Sequence, residues 1–178
     1  HVPAPEGIDY QKEGTIISDG DIGCYSRPET GNHILVGSED PECDEREFVD
    51  PDKYNKNFTK QWTAQAMREA QRIEGLTIPN QMQGVVDLYD VSDDWIPIYD
   101  KSDLPGFYMA VGTSGNQYKN APVAGVMMAE LIDKVEAGHD HDNNPIQFYM
   151  KYTARSFNVG FYSRLREINP DSSFSVIG

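Results

Sequence analysis

The apolar residues of this chain fall into two rhythms that do not alternate. Six short runs have the β-branched and aromatic content of strands: "TIISD" (15–19), "GCYSRP" (23–28), "HILVGS" (33–38), "GVVDLYDV" (84–91), "WIPIYD" (95–100) and "GFYMAVG" (106–112). Two longer stretches, 57–73 and 121–135, have helical spacing instead. A doubly wound sheet needs a helix after nearly every strand. Here three strands, a helix, three more strands and a second helix follow in turn, which predicts an α+β fold: mainly antiparallel sheet with flanking helices.

Local signals sharpen the pattern. Gly31-Asn32 between the second and third runs marks a hairpin corner, where positive φ is tolerated. Pro28 suits a strand end or edge, because it cannot donate to a ladder. In 57–73, Phe58, Trp62, Ala66, Met67, Ala70 and Ile73 recur at threes and fours, with Asn57 as cap and Gly75 as stop. In 121–135, Ala121, Ala124, Met128, Leu131, Ile132 and Val135 share a face, and Pro122 fits the first turn. The tail from Ile146 is aromatic and mixed, with room for a short helix that the pattern does not place. The expected organisation is one compact unit: a sheet over 1–111 with its helix at 57–73, a loop and helix over 112–135, and a tail over 136–178.

The 178 residues suffice for one domain with a real core. A net charge of −14 argues against nucleic acid and anionic membranes as partners. No apolar run approaches bilayer length and no secretory pattern is visible, so a cytoplasmic location is expected. Cys24 and Cys43 allow one disulfide without implying it; Cys24, in a strand run, reads as a free buried thiol. The sequon Asn57-Phe58-Thr59 reads as a chance occurrence.

The stretch most able to carry chemistry is "GTSGNQYKNAPVAG" (112–125), which hands a strand over to a helix. It is not a Walker loop: Lys119 is followed by neither Ser nor Thr, and no G-x-G-x-x-G occurs in the chain. A connection using glycines only for backbone geometry is one reading. The other is a ligand loop. Gly112 and Gly115 let backbone approach a flat ligand, the helix aims N–H groups back at it, and Lys119 adds a cation.

Gly112-Thr113-Ser114-Gly115-Asn116-Gln117-Tyr118-Lys119 resembles the G-[FT]-S-G-x-x-[FY]-K loop of flavin amine oxidoreductases of the sarcosine oxidase, dimethylglycine dehydrogenase and D-amino-acid oxidase superfamily. Upstream, "DLYDVSDDWIPIYD" and "LPGFYMAVG" resemble that superfamily's strand pair, and "CYSRPETGNHILVGSED" its Y-x-[RF]-P strand and hairpin. The resemblance touches most of residues 14–135. It implies that Gly112, Thr113, Ser114, Gly115, Asn116, Gln117, Tyr118 and Lys119 line the pyrimidine end of FAD. It implies further that Lys119 binds a substrate carboxylate, with Tyr25 and Tyr89 in the substrate pocket. The implied reaction oxidises the C–N bond of an amino acid or N-methylated amine to an imine.

Three departures qualify what the resemblance implies. Asp87 stands where monomeric sarcosine oxidases carry the cysteine bonded to flavin, so FAD is expected to be non-covalent. Leu35 stands where those oxidases have an oxygen-activating lysine, which favours a dehydrogenase. The Rossmann segment that holds the rest of FAD in this superfamily has no counterpart in the 178 residues. The expectation is a C-terminal fragment, inactive without the N-terminal segment or a partner chain, exposing an apolar face and so prone to self-associate. The alternative is a non-catalytic binding or assembly module that kept the scaffold.

Other clusters read more simply. "HDHD" (139–142) has metal-ligand residue types but sits as a polar turn, so no metal is expected. Asp90, Ser92 and Asp94 lack the glycine and distal Glu of a calcium loop and read as a turn. "ECDERE" (42–47) reads as a solvated acidic face. Arg164 and Arg166 are left open between holding a carboxylate and pairing with the acidic surface.

Overall fold

The computed structural model describes residues 1–39, 43, 46–81 and 83–173, so much of the acidic stretch 42–47 lies outside the described residues. The fold is α+β, with antiparallel sheets and a few helices. The chain divides into two compact units, His1–Leu88 and Tyr89–Gly178.

In the first unit, β1 (Val2–Pro3), β2 (Ile17–Asp19), β3 (Cys24–Glu29) and β4 (His33–Ser38) form an antiparallel sheet in the order β1-β4-β3-β2. The β3–β4 corner works as its residues predict: Gly31 and Asn32 have φ of +75° and +55°. Asn32 does more than turn the chain. Its Oδ1 accepts from the Tyr10 N–H at 2.7 Å, its Nδ2 donates to the Ile8 carbonyl at 2.8 Å, and its own carbonyl accepts from Ala4 N–H. The hairpin thereby ties down β1 and the short α1 (Tyr10–Glu13).

One face of this sheet packs against α2 (Lys60–Glu69). Period-two burial of Cys24 and Ser26 on β3, and of Ile34 and Val36 on β4, sets that face. Val2, Tyr10, Ile34 and Val36 make the core, with Trp62, Ile73 and Leu76 against it. Burying each such aliphatic side chain contributes about 1.5–3 kcal/mol. The helix differs from its sequence pattern at both ends. Thr59 occupies the cap position, and Asn57 instead hydrogen-bonds Asn55. The inward face carries Gln65, Ala66 and Glu69, while Met67 is exposed, because the sheet accepts a stripe rotated from the purely apolar one.

Residues 84–91 form no strand. A strand is defined by a neighbour that takes its N–H and C=O groups, and no ladder reaches this stretch. In the second unit β5 (Ile98–Lys101) and β6 (Tyr108–Val111) pair only with each other, in a separate two-stranded sheet. The long α3 (Ala121–Glu136) packs on β5. Met127 and Leu131 of α3 are buried with Tyr99, Ile146, Phe148 and Val159, and Ala124, Met128 and Val135 pack around them. Met127 stands in for Ala121, which is exposed, as the inward contact. The tail supplies a hairpin, β7 (Gln147–Met150) and β8 (Arg155–Asn158), then a 3-10 turn at Val159–Tyr162. Tyr162 sits edge-on to Tyr99 and Phe157, with ring centroids 5.1 and 6.0 Å away.

Candidate functional site

The glycine loop leaves β6 at Val111 and enters α3 through a 3-10 turn, Gln117–Asn120. Gly112, Ser114 and Gly115 have φ of +69°, +53° and +80°. The backbone therefore reverses within four residues, and glycine at two of the three left-handed positions makes that inexpensive. What fixes the path is Asp90. Its Oδ2 accepts from the backbone N–H of Gly112 at 2.9 Å and of Thr113 at 3.1 Å. Its Oδ1 accepts from the Thr113 hydroxyl at 2.5 Å, and its carbonyl accepts from Ser114 N–H at 3.1 Å. Partial burial opposes ionisation of Asp90, but the Thr113 and Gly112 donors outweigh it and hold the carboxyl below its ordinary value. The N–H groups of Gly112 and Thr113 thus face this carboxylate. Ser114 is fully buried, its hydroxyl donating to the Gly112 carbonyl.

The remaining loop residues line a groove. The Tyr89 ring lies against Gly115, where a Cβ would come within 2.7 Å of ring carbon Cδ1. Only glycine leaves room for that contact. Gln117 is buried and gathers three neighbours: its Oε1 accepts from Tyr99 OH and from Asn120 Nδ2, and its Nε2 donates to Asn116 Oδ1. Tyr99, Thr113, Gly115, Gln117 and Tyr118, with Ala121, Ala124, Gly125 and Met128 of α3, enclose an open, largely apolar groove of about 560 Å³. That size is within the range of small-molecule and cofactor sites. Lys119 is exposed on the 3-10 turn, next to Tyr118 but outside the groove's lining.

Of the residues expected at the site, the structure joins Tyr89 to the loop 112–119. Tyr25 belongs to the first unit, where its half-buried ring lies over its cross-strand partner Gly37. Leu35 is half-buried on β4 opposite Arg27. Asp87 is exposed and accepts from Tyr54 OH at 3.1 Å and from its neighbour Leu88 N–H. Asp90 was missed as a site residue, since a clamp acting across 22 positions leaves no local sequence signal.

Arg164 and Arg166 of the tail are engaged within the second unit. Arg166 holds the buried Asp94 through Nη2–Oδ1 at 2.6 Å and Nε–Oδ2 at 3.1 Å, and donates to the Ile96 carbonyl. Burial opposes ionisation of Asp94, but Arg166 prevails and lowers the carboxyl to about 2. Arg164 binds Asp142, Asp103 and the fully buried Asp100. The "HDHD" stretch is accordingly not a solvated turn throughout: His141 is buried, its Nδ1 accepting from Ile146 N–H, and Asp142 also takes Lys101 at 2.6 Å. Among the described residues no cluster of His, Cys, Asp or Glu is arranged to hold a metal ion, and no helix is long and apolar enough to cross a membrane. Cys24 and Cys43 are not joined in a disulfide; the Cys24 thiol donates to the Ile22 and Gln65 carbonyls, and Cys43 Sγ accepts from Arg68.

Residues 1–131 match the model of a protein family, DAO, described as FAD dependent oxidoreductase. The chain belongs to that family. The match takes in the β3–β4 hairpin, the glycine loop and the first part of α3, including every residue lining the groove. No curated protein and no solved structure gives a significant match. Membership of the FAD-dependent oxidoreductases makes FAD the cofactor against which the groove is to be tested. The groove fits one edge of a flat ring: its wall is glycine, alanine and aromatic carbon, with the buried Gln117 amide set into it. Gly125 on α3 has open space where a Cβ would stand.

Proposed function

We propose that this chain forms the substrate side and the pyrimidine-end wall of an FAD-dependent enzyme. Its proposed reaction is oxidation of the C–N bond of an amino acid or N-methylated amine, of the sarcosine or dimethylglycine kind, to an imine. The observation that carries the reading is the loop Gly112–Lys119, pinned by Asp90 and opening onto the apolar groove, in a chain of the FAD-dependent oxidoreductase family. When bound, FAD supplies the two-electron acceptor for the C–H bond beside nitrogen.

The protein's part is orientation. Gly115, Gln117 and Tyr118 present the surface that would seat the ring edge, and Ala121, Ala124 and Gly125 keep side chains clear of it. Lys119, an exposed cation beside that surface, attracts the substrate carboxylate and so fixes which C–H faces the ring. Tyr89, packed on Gly115, forms one wall. A role for Tyr25 rests on the resemblance of its strand alone. With no G-x-G-x-x-G in these residues, the adenosine and pyrophosphate end of FAD is assigned to a nucleotide-binding segment outside them. Asp87 and Leu35 support non-covalent flavin and slow reaction with O2, hence a dehydrogenase.

The test uses the complete protein loaded with FAD. Anaerobic addition of sarcosine, dimethylglycine or D-amino acids is expected to bleach the flavin, and denaturation to release it into the supernatant. Lys119→Met is expected to raise KM for carboxylate substrates about tenfold or more, with flavin still bound, from the loss of one charge-assisted contact. Flavin that none of these amines reduces sinks the substrate class. An unchanged KM removes Lys119 from the site.

A further inference from the structure

We infer that Asp90 is the positioning residue of the cofactor loop: its carboxylate, more than the loop's own sequence, gives 112–115 the shape that meets the ring. The flavin consequence rests on the function proposed above; the clamp does not. Two glycines in four residues leave a loop with many accessible backbone states. Yet three consecutive residues donate to one residue 22 positions upstream: the N–H groups of Gly112 and Thr113 converge on Oδ2, the Thr113 hydroxyl on Oδ1, and Ser114 N–H on the Asp90 carbonyl. Such a span excludes an ordinary turn formed by neighbouring residues.

The clamp reaches the groove through two residues that line it. Thr113 is held by its N–H and its hydroxyl, and Gly115 is held between the fixed Ser114 and the Tyr89 ring, next in sequence to Asp90. "YD" at 89–90 thus grips the loop twice, by ring and by carboxylate. An Asp90→Asn side chain can hold the two N–H groups with its single oxygen only by turning its NH2 to the Thr113 hydroxyl, which reverses that bond and removes the charge that strengthens all three.

The proposal is tested in two measurements. In the protein without flavin, amide hydrogen exchange is followed for wild type, Asp90→Asn, Thr113→Val and Thr113→Ser. Asp90→Asn is expected to cut protection at Thr113 and Ser114 about tenfold or more, with α3 and β5–β6 unchanged. Thr113→Val, a milder change that keeps the backbone donors, loses part of that protection, and Thr113→Ser restores it. Unchanged protection in Asp90→Asn overturns the clamp. In the complete FAD-loaded protein, the same variant is expected to raise the flavin Kd about tenfold and to shift the visible flavin spectrum, while Thr113→Ser does neither. A loosened loop with unaltered Kd and spectrum overturns the positioning role. A wild-type complete protein that takes up no flavin instead refutes the proposed function, and the exchange result still decides the clamp.

Discussion

Arg166 joins the 94–96 segment to the tail through one guanidinium, and its loss separates two readings of a buried ion pair. The group donates to Asp94, to the Ile96 carbonyl and to the Ser163 carbonyl. Asp94 also accepts from Ile96 N–H and Asn169 N–H, so a carboxylate with almost no solvent exposure is surrounded by donors. Removing only the cation leaves that charge buried and unpaired. Arg166→Met is therefore expected to destabilise the unit by about 3–5 kcal/mol, read as a lowered urea midpoint. Asp94→Leu combined with Arg166→Met is expected to recover most of that loss, because no unpaired charge remains. Acid gives the same answer another way. The folded carboxyl is lowered from 3.8 to about 2, so the folded state binds the proton less readily than the unfolded chain. The resulting stability, about 2 kcal/mol, is complete above the unfolded value and is lost as pH falls from about 5 through 2. Asp94→Asn is expected to flatten that part of the acid-unfolding curve.

At the scale of elements, the β3–β4 hairpin was the most legible part, and it also carries a constraint the pattern hides. Tyr25 crosses to Gly37, and its ring occupies the space a side chain at Gly37 would need. Gly37→Val is expected to force the ring out at a cost of about 1–3 kcal/mol, seen in the urea midpoint. Tyr25→Ala in the same protein is expected to remove most of the further loss, a coupling measured by the double-mutant cycle. The hairpin could be read because its turn residues, Gly31 and Asn32, advertise positive φ, and its strands alternate. The β7–β8 hairpin could not, since its turn puts Ala154 at φ +53°, a conformation alanine does not announce. α3 was legible from its spacing and Pro122, whereas α2 lost turns at both ends to tertiary preference. The loop itself was visible as glycines and amides. Its clamp was not, because Asp90 and Thr113 meet only through the path of the intervening chain.

For the molecule as a whole, the segment where the two units adjoin in sequence is a test of what limits cleavage: exposure or backbone freedom. Residues 85–91 take part in no ladder and no helix, and Val85, Leu88 and Tyr89 are 82%, 38% and 54% exposed. Residues 46–50 are similarly without ladder bonds, and Phe48 is 81% exposed. Tyr118 and Tyr152 are more exposed still, at 96% and 92%. They sit, however, in a 3-10 turn bound into the Gln117 hub and in the tight β7–β8 turn closed by Thr153 N–H to the Met150 carbonyl. A protease needs several residues of extended chain in its cleft, so local opening, not surface area, sets the rate. Brief chymotrypsin treatment is expected to cut first at Phe48, well before Tyr118 or Tyr152. It is also expected to cut there before Leu88 or Tyr89, whose cleavage needs the Asp90 bonds and the Tyr89–Gly115 contact to open. Mass spectrometry of the earliest products reads the order directly. First cleavage at Tyr118 would mean that the loop entering α3 opens more readily than the unladdered segment. The Asp90 bonds would then be too weak to hold it.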